Sequence, residues 1–240
     1  MQITVETRGL DTVLRSLGVD LPKQVKYATM LALSRTASKL RDRQYSEMHH
    51  VFDRPTPYTL RGLRVKPAKK TDLTAWVGFK EAWALRAAKY MPTQVEGGTR
   101  KLKAYEKAIQ QRVIMRPWNK AYPAGTYFIP GRGARLDAYG NMSSGQINQI
   151  LSDLQAQGDT KANTTTRSAG RNKGRGRYWA TPKGIWHILG QAMTMVLVAT
   201  QTPPAYSKRY PFYEISERFV REHWDEEFNK AFKEAVATAK

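Results

Sequence analysis

At 240 residues the chain is long enough to bury a real core, as one large domain or two small ones. A 41% hydrophobic and 10% aromatic content excludes wholesale disorder, and zero cysteines exclude disulfides, thiolate metal sites and cysteine nucleophiles together. Forty Lys and Arg against twenty Asp and Glu leave +20 at pH 7, a self-repulsion that favours an anionic partner or an assembly over a free compact monomer.

The first residues, Met1 to Glu6, show neither a basic nor an apolar leader region, so no signal peptide is expected. Ile3 and Val5 alternate with polar neighbours as in a short strand. Leu10, Val13, Leu14 and Leu17 share a face of a short helix over 9–18. Asp20 then caps a long helix reaching about Met48, with Pro22 tolerated in its first turn. Its inner stripe is Val25, Ala28, Ala32, Thr36 and Leu40, and its small residues permit close approach of a neighbour. Asp53 to Pro57 stops that helix with two prolines. Leu63–Lys66 and Leu73–Phe79 follow as strands of a hairpin joined through 67–72. Short helices are expected over 82–91 and 100–111, with Gly97-Gly98 between them.

From Pro117 to Gly145 turn formers are dense while Tyr127, Phe128 and Tyr139 recur, which predicts ordered loop and turn. A helix over 145–157 has Ser143 or Ser144 as its cap and Ile147, Ile150, Leu151 and Leu154 as its face. The stretch 158–177 has almost no large apolar residue and predicts a flexible arm. Strands return at 178–180, 184–189 and 194–200, and Met195–Ala199 is apolar enough to sit centrally in a sheet. The run from Ile185 to Ala199 is too short and too interrupted to span a bilayer, so no membrane partner is expected. The last element, 211–238, is a long helix with Phe219, Trp224, Phe228 and Phe232 near i, i+4 spacing, a stripe suited to core or subunit interface.

The pattern predicts an α+β fold, a mixed and mainly antiparallel sheet packed by a long N-terminal and a long C-terminal helix. Its core is assigned to 1–80 and 178–240, a loop-rich and helical insertion to 81–157, and the basic arm to 158–177. Charge concentrates in the middle. Lys161 to Lys183 holds seven bases and no acid, while Glu214 to Lys240 holds seven acids and five bases. Arg167, Arg171, Lys173, Arg175 and Arg177 are therefore the candidate contacts for DNA or an acidic partner.

No catalytic or cofactor signature is present, and no enzyme is expected. His49 and His50 complement the negative end of the first long helix. His223 and Glu227 stand at i, i+4, too few ligands for a metal site. Gly131-Arg132-Gly133 lacks the remainder of a phosphate-binding loop.

Four segments, in order, resemble the tail-completion and minor tail proteins of tailed bacteriophages, of the minor tail protein Z type. They are Ala28 to Ala37, Tyr90 to Arg100, Tyr127 to Met142, and Arg209-Tyr210-Pro211-Phe212-Tyr213 running into a charged helix. The resemblance implies a virion protein made in the host cytoplasm. It implies a head–tail neck component: a homo-oligomeric ring around the DNA channel, touching a portal or adaptor on one side and a tail tube or nozzle on the other, with genomic DNA inside. Compared with smaller neck proteins, 90–157 stands out as an insertion. The rival reading is a free, sequence-nonspecific nucleic-acid-binding protein, favoured by the basic arm and by Tyr178, Trp179 and Trp186 as stacking residues.

Overall fold

From Leu21 to Val51 the chain runs as one 31-residue helix, α1, free of glycine and with its single proline in the first turn, where an N–H has no helical partner to lose. The stripe Val25, Ala28, Ala32, Thr36 and Leu40 is buried along its whole length. The protein is described from a computed structural model covering residues 2–4, 21–79, 87–115, 117, 119–171 and 173–238. The helix expected over 9–18 and the Asp20 cap lie outside these residues.

The fold is α+β, with antiparallel sheets and the two long helices packed together. It divides into two compact units, one of Met1–Gly97 with Ser207–Lys240 and one of Gly98–Tyr206. In the first unit β1 (Gln2–Thr4), β2 (Leu63–Lys66) and β3 (Thr74–Phe79) form an antiparallel sheet in the order β1-β3-β2. The β2–β3 hairpin closes through the expected loop, where Lys69 and Asp72 exchange backbone hydrogen bonds of 2.8 and 3.0 Å. Between α1 and this hairpin lies the short helix α2 (Pro57–Leu60), capped by the Thr56 hydroxyl, which accepts from Thr59 N–H at 3.1 Å. Helix α3 (Ala87–Val95) follows β3; residues 80–86, where its expected start falls, are outside the described set.

The closing helix α7 (Phe212–Ala237) runs antiparallel to α1. Ala28 and Ala32 meet Ala231 and Ala235 at one end, and Gln44 meets Phe212 and Ser216 at the other. Alanines on both sides let the two backbones approach closely. Arg35 clamps Glu234 with contacts of 3.0 and 2.8 Å, and Lys39 pairs with the buried carboxylate of Glu227. Leu33, Leu40 and Met48 of α1 share a core with Leu63, Val77, Met91, Tyr210 and Phe212. Inside it Gln44 donates to Phe212 O at 2.8 Å and to Ser216 Oγ at 2.7 Å, and accepts from Tyr210 OH at 2.6 Å. Buried polar groups must be paired, and this set is.

The second unit is a single continuous stretch of chain. It opens with β4 (Gly98–Thr99) and closes with β11 (Ala205–Tyr206), paired antiparallel so that Gly98 lies opposite Tyr206. Gly97 and Gly98 take φ of 79° and 99°, a backbone region that glycine enters without a Cβ penalty. In between come α4 (Ala104–Arg112), the β5–β6 ribbon (Ile114–Met115 and Lys120–Ala121), β7 (Tyr127–Pro130), α5 (Ser144–Asp153), α6 (Thr166–Arg171), β8 (Arg177–Thr181), β9 (Gly184–Leu189) and β10 (Ala192–Thr200). Ser143 caps α5, as expected, accepting from Gln146 N–H at 3.2 Å. The sheet order is β7-β10-β9-β8, so β10 is central as its apolar run requires. Ile109, Ile150 and Leu151 of the helices pack on Phe128, Tyr178, Ile185, Val196 and Leu197.

Three expectations are corrected. Strands 178–200 do not join a core built on 1–80; they pair with β7 and bury their inner residues against α4 and α5, so the division falls at 97/98 and 206/207. Alternation marks a buried strand face but not which helix covers it. Residues 127–130, expected as loop, form an edge strand, with Pro130 at an end where no ladder N–H is lost. Residues 158–177, expected as a flexible arm, carry α6 and 3-10 turns at Thr160–Ala162 and Lys173–Arg175. Polar side chains tie this segment down in place of apolar burial. Thr164 Oγ1 donates to Asp153 at 2.6 Å, Ser152 Oγ to Ala162 O at 2.6 Å, and Gln155 Nε2 to Thr164 O at 2.8 Å. None of the described helices is long and apolar enough to cross a membrane.

Candidate functional site

The Gly98–Tyr206 unit carries sixteen Lys and Arg against four Asp and Glu, a net +12. All four carboxylates are taken internally. Asp137 accepts from Tyr139 and Asn141 N–H, Asp159 from Lys161 N–H, and Asp153 from Thr164 Oγ1 and Tyr178 N–H. Glu106, fully buried, takes the guanidinium of Arg100 at 2.7 and 2.5 Å, Lys103 N–H at 2.6 Å and Phe128 N–H at 3.0 Å. Burial alone would raise the Glu106 carboxyl; Arg100 and the two backbone donors outweigh it and hold the group below the usual carboxylate range. The Arg100 guanidinium also lies over the Tyr127 ring at 5.1 Å. Among the described residues of this unit, Arg100 is the one cation in a salt bridge.

Of the five candidate contacts, Arg167 and Arg171 stand four apart on α6, both exposed, and Arg175 and Arg177 are exposed as well. Lys173 lies in the turn between them; its side chain is outside the described set. They do not form one patch. Arg177 alternates with Tyr178 along β8 and so leaves the sheet on the opposite face, beside Trp179. Arg175 instead lines a cleft of about 580 Å³ with Gly133, Arg135, Gln146, Gln149, Tyr178 and His187. Sequence reasoning missed Arg135 and Gln149, because nothing local signals that the loop after β7 and helix α5 meet the end of the basic segment.

The face of the four-stranded sheet turned away from α4 and α5 is largely apolar and partly exposed, with Arg177 opposite Ile188 on it. Across the ladder Ile129 lies opposite Val198, Trp186 lies between Met195 and Trp179, and Met193 lies opposite Ile188. Ile129, Trp179 and Met193 are 45%, 41% and 55% exposed. Gly131-Arg132-Gly133 runs along this strand group as a continuation of β7, with Gly131 N–H donating to Val196 O and Gly133 N–H to Met195 O at 2.8 Å each.

In the first unit the four aromatic candidates of α7 are half-buried. The fully buried positions of that helix are Phe212, Ser216, Glu227, Ala231 and Ala235. Phe219 and Trp224 rest on the main core, and Trp224, Phe228 and Phe232 border the alanine seam. Their rings stack in a ladder, 5.9 Å from Trp224 to Phe228 and 6.1 Å on to Phe232. The i, i+4 spacing correctly places them in a row but cannot say that smaller residues fill the seam.

His223 stacks on Phe219 at 4.1 Å and Glu227 is taken by Lys39. Among the described residues no three His, Asp or Glu come together as a metal ion would require. No family model matches the chain, and neither a curated protein nor a solved structure does.

Proposed function

We propose that the protein is a structural, non-enzymatic subunit of a tailed-phage virion, acting at the head–tail junction as part of a homo-oligomeric ring around the DNA channel. The observation that carries this reading is the largely apolar, partly exposed face of the four-stranded sheet within a strongly basic unit. A free protein seldom leaves a contiguous apolar patch in water, whereas a ring subunit covers it with a neighbour. The order of the four segments that resemble minor tail proteins supports the same reading, as does the stacked ladder of Trp224, Phe228 and Phe232, which is only half-buried within its unit. The net +12 suits passing DNA or acidic portal, adaptor or tail-tube subunits.

A free nucleic-acid binder is the second reading, since Trp179 and Trp186 offer stacking surfaces on that sheet. Aliphatic Ile129, Met193 and Val198 have no π face for a base, and they favour a protein neighbour. Mass spectrometry and electron microscopy of particles from the phage or prophage that encodes the chain test this directly. The expected result is the protein in the virion, as a ring where head meets tail. Its absence from purified particles would overturn the proposal.

A further inference from the structure

Most cations of the basic unit are ordinary exposed side chains. Arg135 is exposed too, but both its backbone and its guanidinium are hydrogen-bonded within the unit. Its backbone N–H donates to Gln146 Oε1 at 2.6 Å, and Gln146, 3% exposed, returns its amide to Gly133 O at 3.0 Å. The loop after β7 is thus pinned to the first turns of α5. The Arg135 guanidinium then donates to Gln149 Oε1 at 2.7 Å and reaches Tyr178 OH at 3.3 Å. Both partners are neutral, so they orient the charge without cancelling it.

Arg175 is brought to the same cleft by a second device. Its carbonyl accepts from His187 Nε2 at 2.8 Å, and since a carbonyl cannot donate, that ring nitrogen carries the proton. The next residue, Gly176, has φ of 72°, and a Cβ there would stand 2.4 Å from Ile188 O and 2.7 Å from His187 Nε2. Only glycine lets the chain lie this close to β9. The His187 ring in turn packs on Tyr178 at 4.8 Å. No carboxylate lines the cleft. Asp153, one turn beyond Gln149, is occupied by Thr164 and Tyr178 N–H.

We infer that this cleft, lined by Arg135, Arg175, Gln149, Tyr178 and His187, is a binding site for a phosphate-type oxyanion. Arg135 and Arg175 line one open space together with Tyr178 and Gln149, a set of residues matched to an anion with several oxygens. Arg135 is held by neutral partners and neither arginine pairs with a carboxylate among the described residues, so their charge is open to an anion from outside. The cleft is larger than a lone phosphate, so one phosphate of a longer strand fits it as readily as the free ion. The site is defined by its own donors and does not depend on where in a particle the protein sits.

The test follows the ring resonances of His187, assigned with His187→Gln, as inorganic phosphate and, separately, a short DNA duplex are added to the full chain. Wild type is expected to show saturable His187 shifts with phosphate. Arg135→Gln and Arg175→Gln should each weaken phosphate binding at least about tenfold, with the far-ultraviolet circular dichroism unchanged. Arg171→Gln removes the same charge from α6, outside the cleft lining, and should leave phosphate binding within about twofold. Displacement of phosphate by the duplex assigns the anion to a nucleic-acid strand, and phosphate binding that the duplex does not disturb assigns it to a soluble phosphate; both uphold the site. The absence of His187 shifts in wild type, or an equal loss in Arg171→Gln and Arg135→Gln, would overturn it, the latter because a diffuse field would then explain the binding.

Discussion

Glu106 shows how much one side chain can organise. Its carboxylate joins the strand leading out of β4, the start of α4 and the first residues of β7, reaching back to Lys103 N–H as half of a capping box. Removing Arg100 would leave this charge buried with two backbone donors. Arg100→Ala should therefore destabilise the Gly98–Tyr206 unit by about 3–5 kcal/mol at pH 7. The pH dependence has a definite sign. Because the folded Glu106 carboxyl is held below its ordinary value, its contribution is complete above the unfolded carboxyl range and is lost as pH falls through the folded value. Denaturant unfolding followed by tryptophan fluorescence should show the deficit of Arg100→Ala narrowing as pH falls through that range. A deficit equal at pH 3 and pH 7 would mean the pair acts by shape and not by charge.

Among the elements, the α1–α7 pair is the one whose logic was half-visible in advance. The small-residue stripe of α1 was legible at Ala28 and Ala32, and both are fully buried. Its counterpart on α7 was not, because Phe219, Trp224, Phe228 and Phe232 dominate the periodicity while Ala231 and Ala235 fill the seam. Large side chains carry most of a hydropathy pattern, and a close helix contact needs small ones. This gives an inverted ranking of substitutions. Ala231→Leu should cost about 1–3 kcal/mol or more by overpacking. Phe232→Ala, at a half-buried position, should fall well short of the roughly 3–5 kcal/mol of a fully buried phenylalanine. Chemical denaturation of both variants checks the order, and a costlier Phe232→Ala would return the seam to the aromatic stripe. The strands around 63–79 and 184–200 were legible from alternation and apolar continuity, whereas β7 was hidden by the proline that ends it and the glycines that follow. The cleft was hidden more deeply. Arg135, Gln149 and Arg175 are distant in sequence, and only the packing of α5 beside β8 unites them.

For the molecule as a whole, the division into units was the least legible feature, since the scarcity of acids between Gly98 and Tyr206 does not by itself mark a boundary at either residue. Yet the antiparallel pairing of those two residues has a consequence for the order of folding. Gln44 and Phe212 meet across 168 residues, a long loop to close. The Gly98–Tyr206 unit is continuous, and all of it is synthesised before α7, so it can fold first. Once folded, its joined ends shorten the effective loop between α1 and α7 by its own 109 residues, easing closure by on the order of 1 kcal/mol. Phe128 is fully buried in that unit, and Phe128→Ala should weaken it by about 3–5 kcal/mol. Docking of α7 on α1, in the other unit, should then slow a few-fold in stopped-flow refolding followed by an energy-transfer pair on the two helices. Unchanged docking kinetics would mean the two units fold independently. On this account the inserted unit acts during biogenesis as an internal clamp, holding the two halves of its host within reach before the last helix arrives.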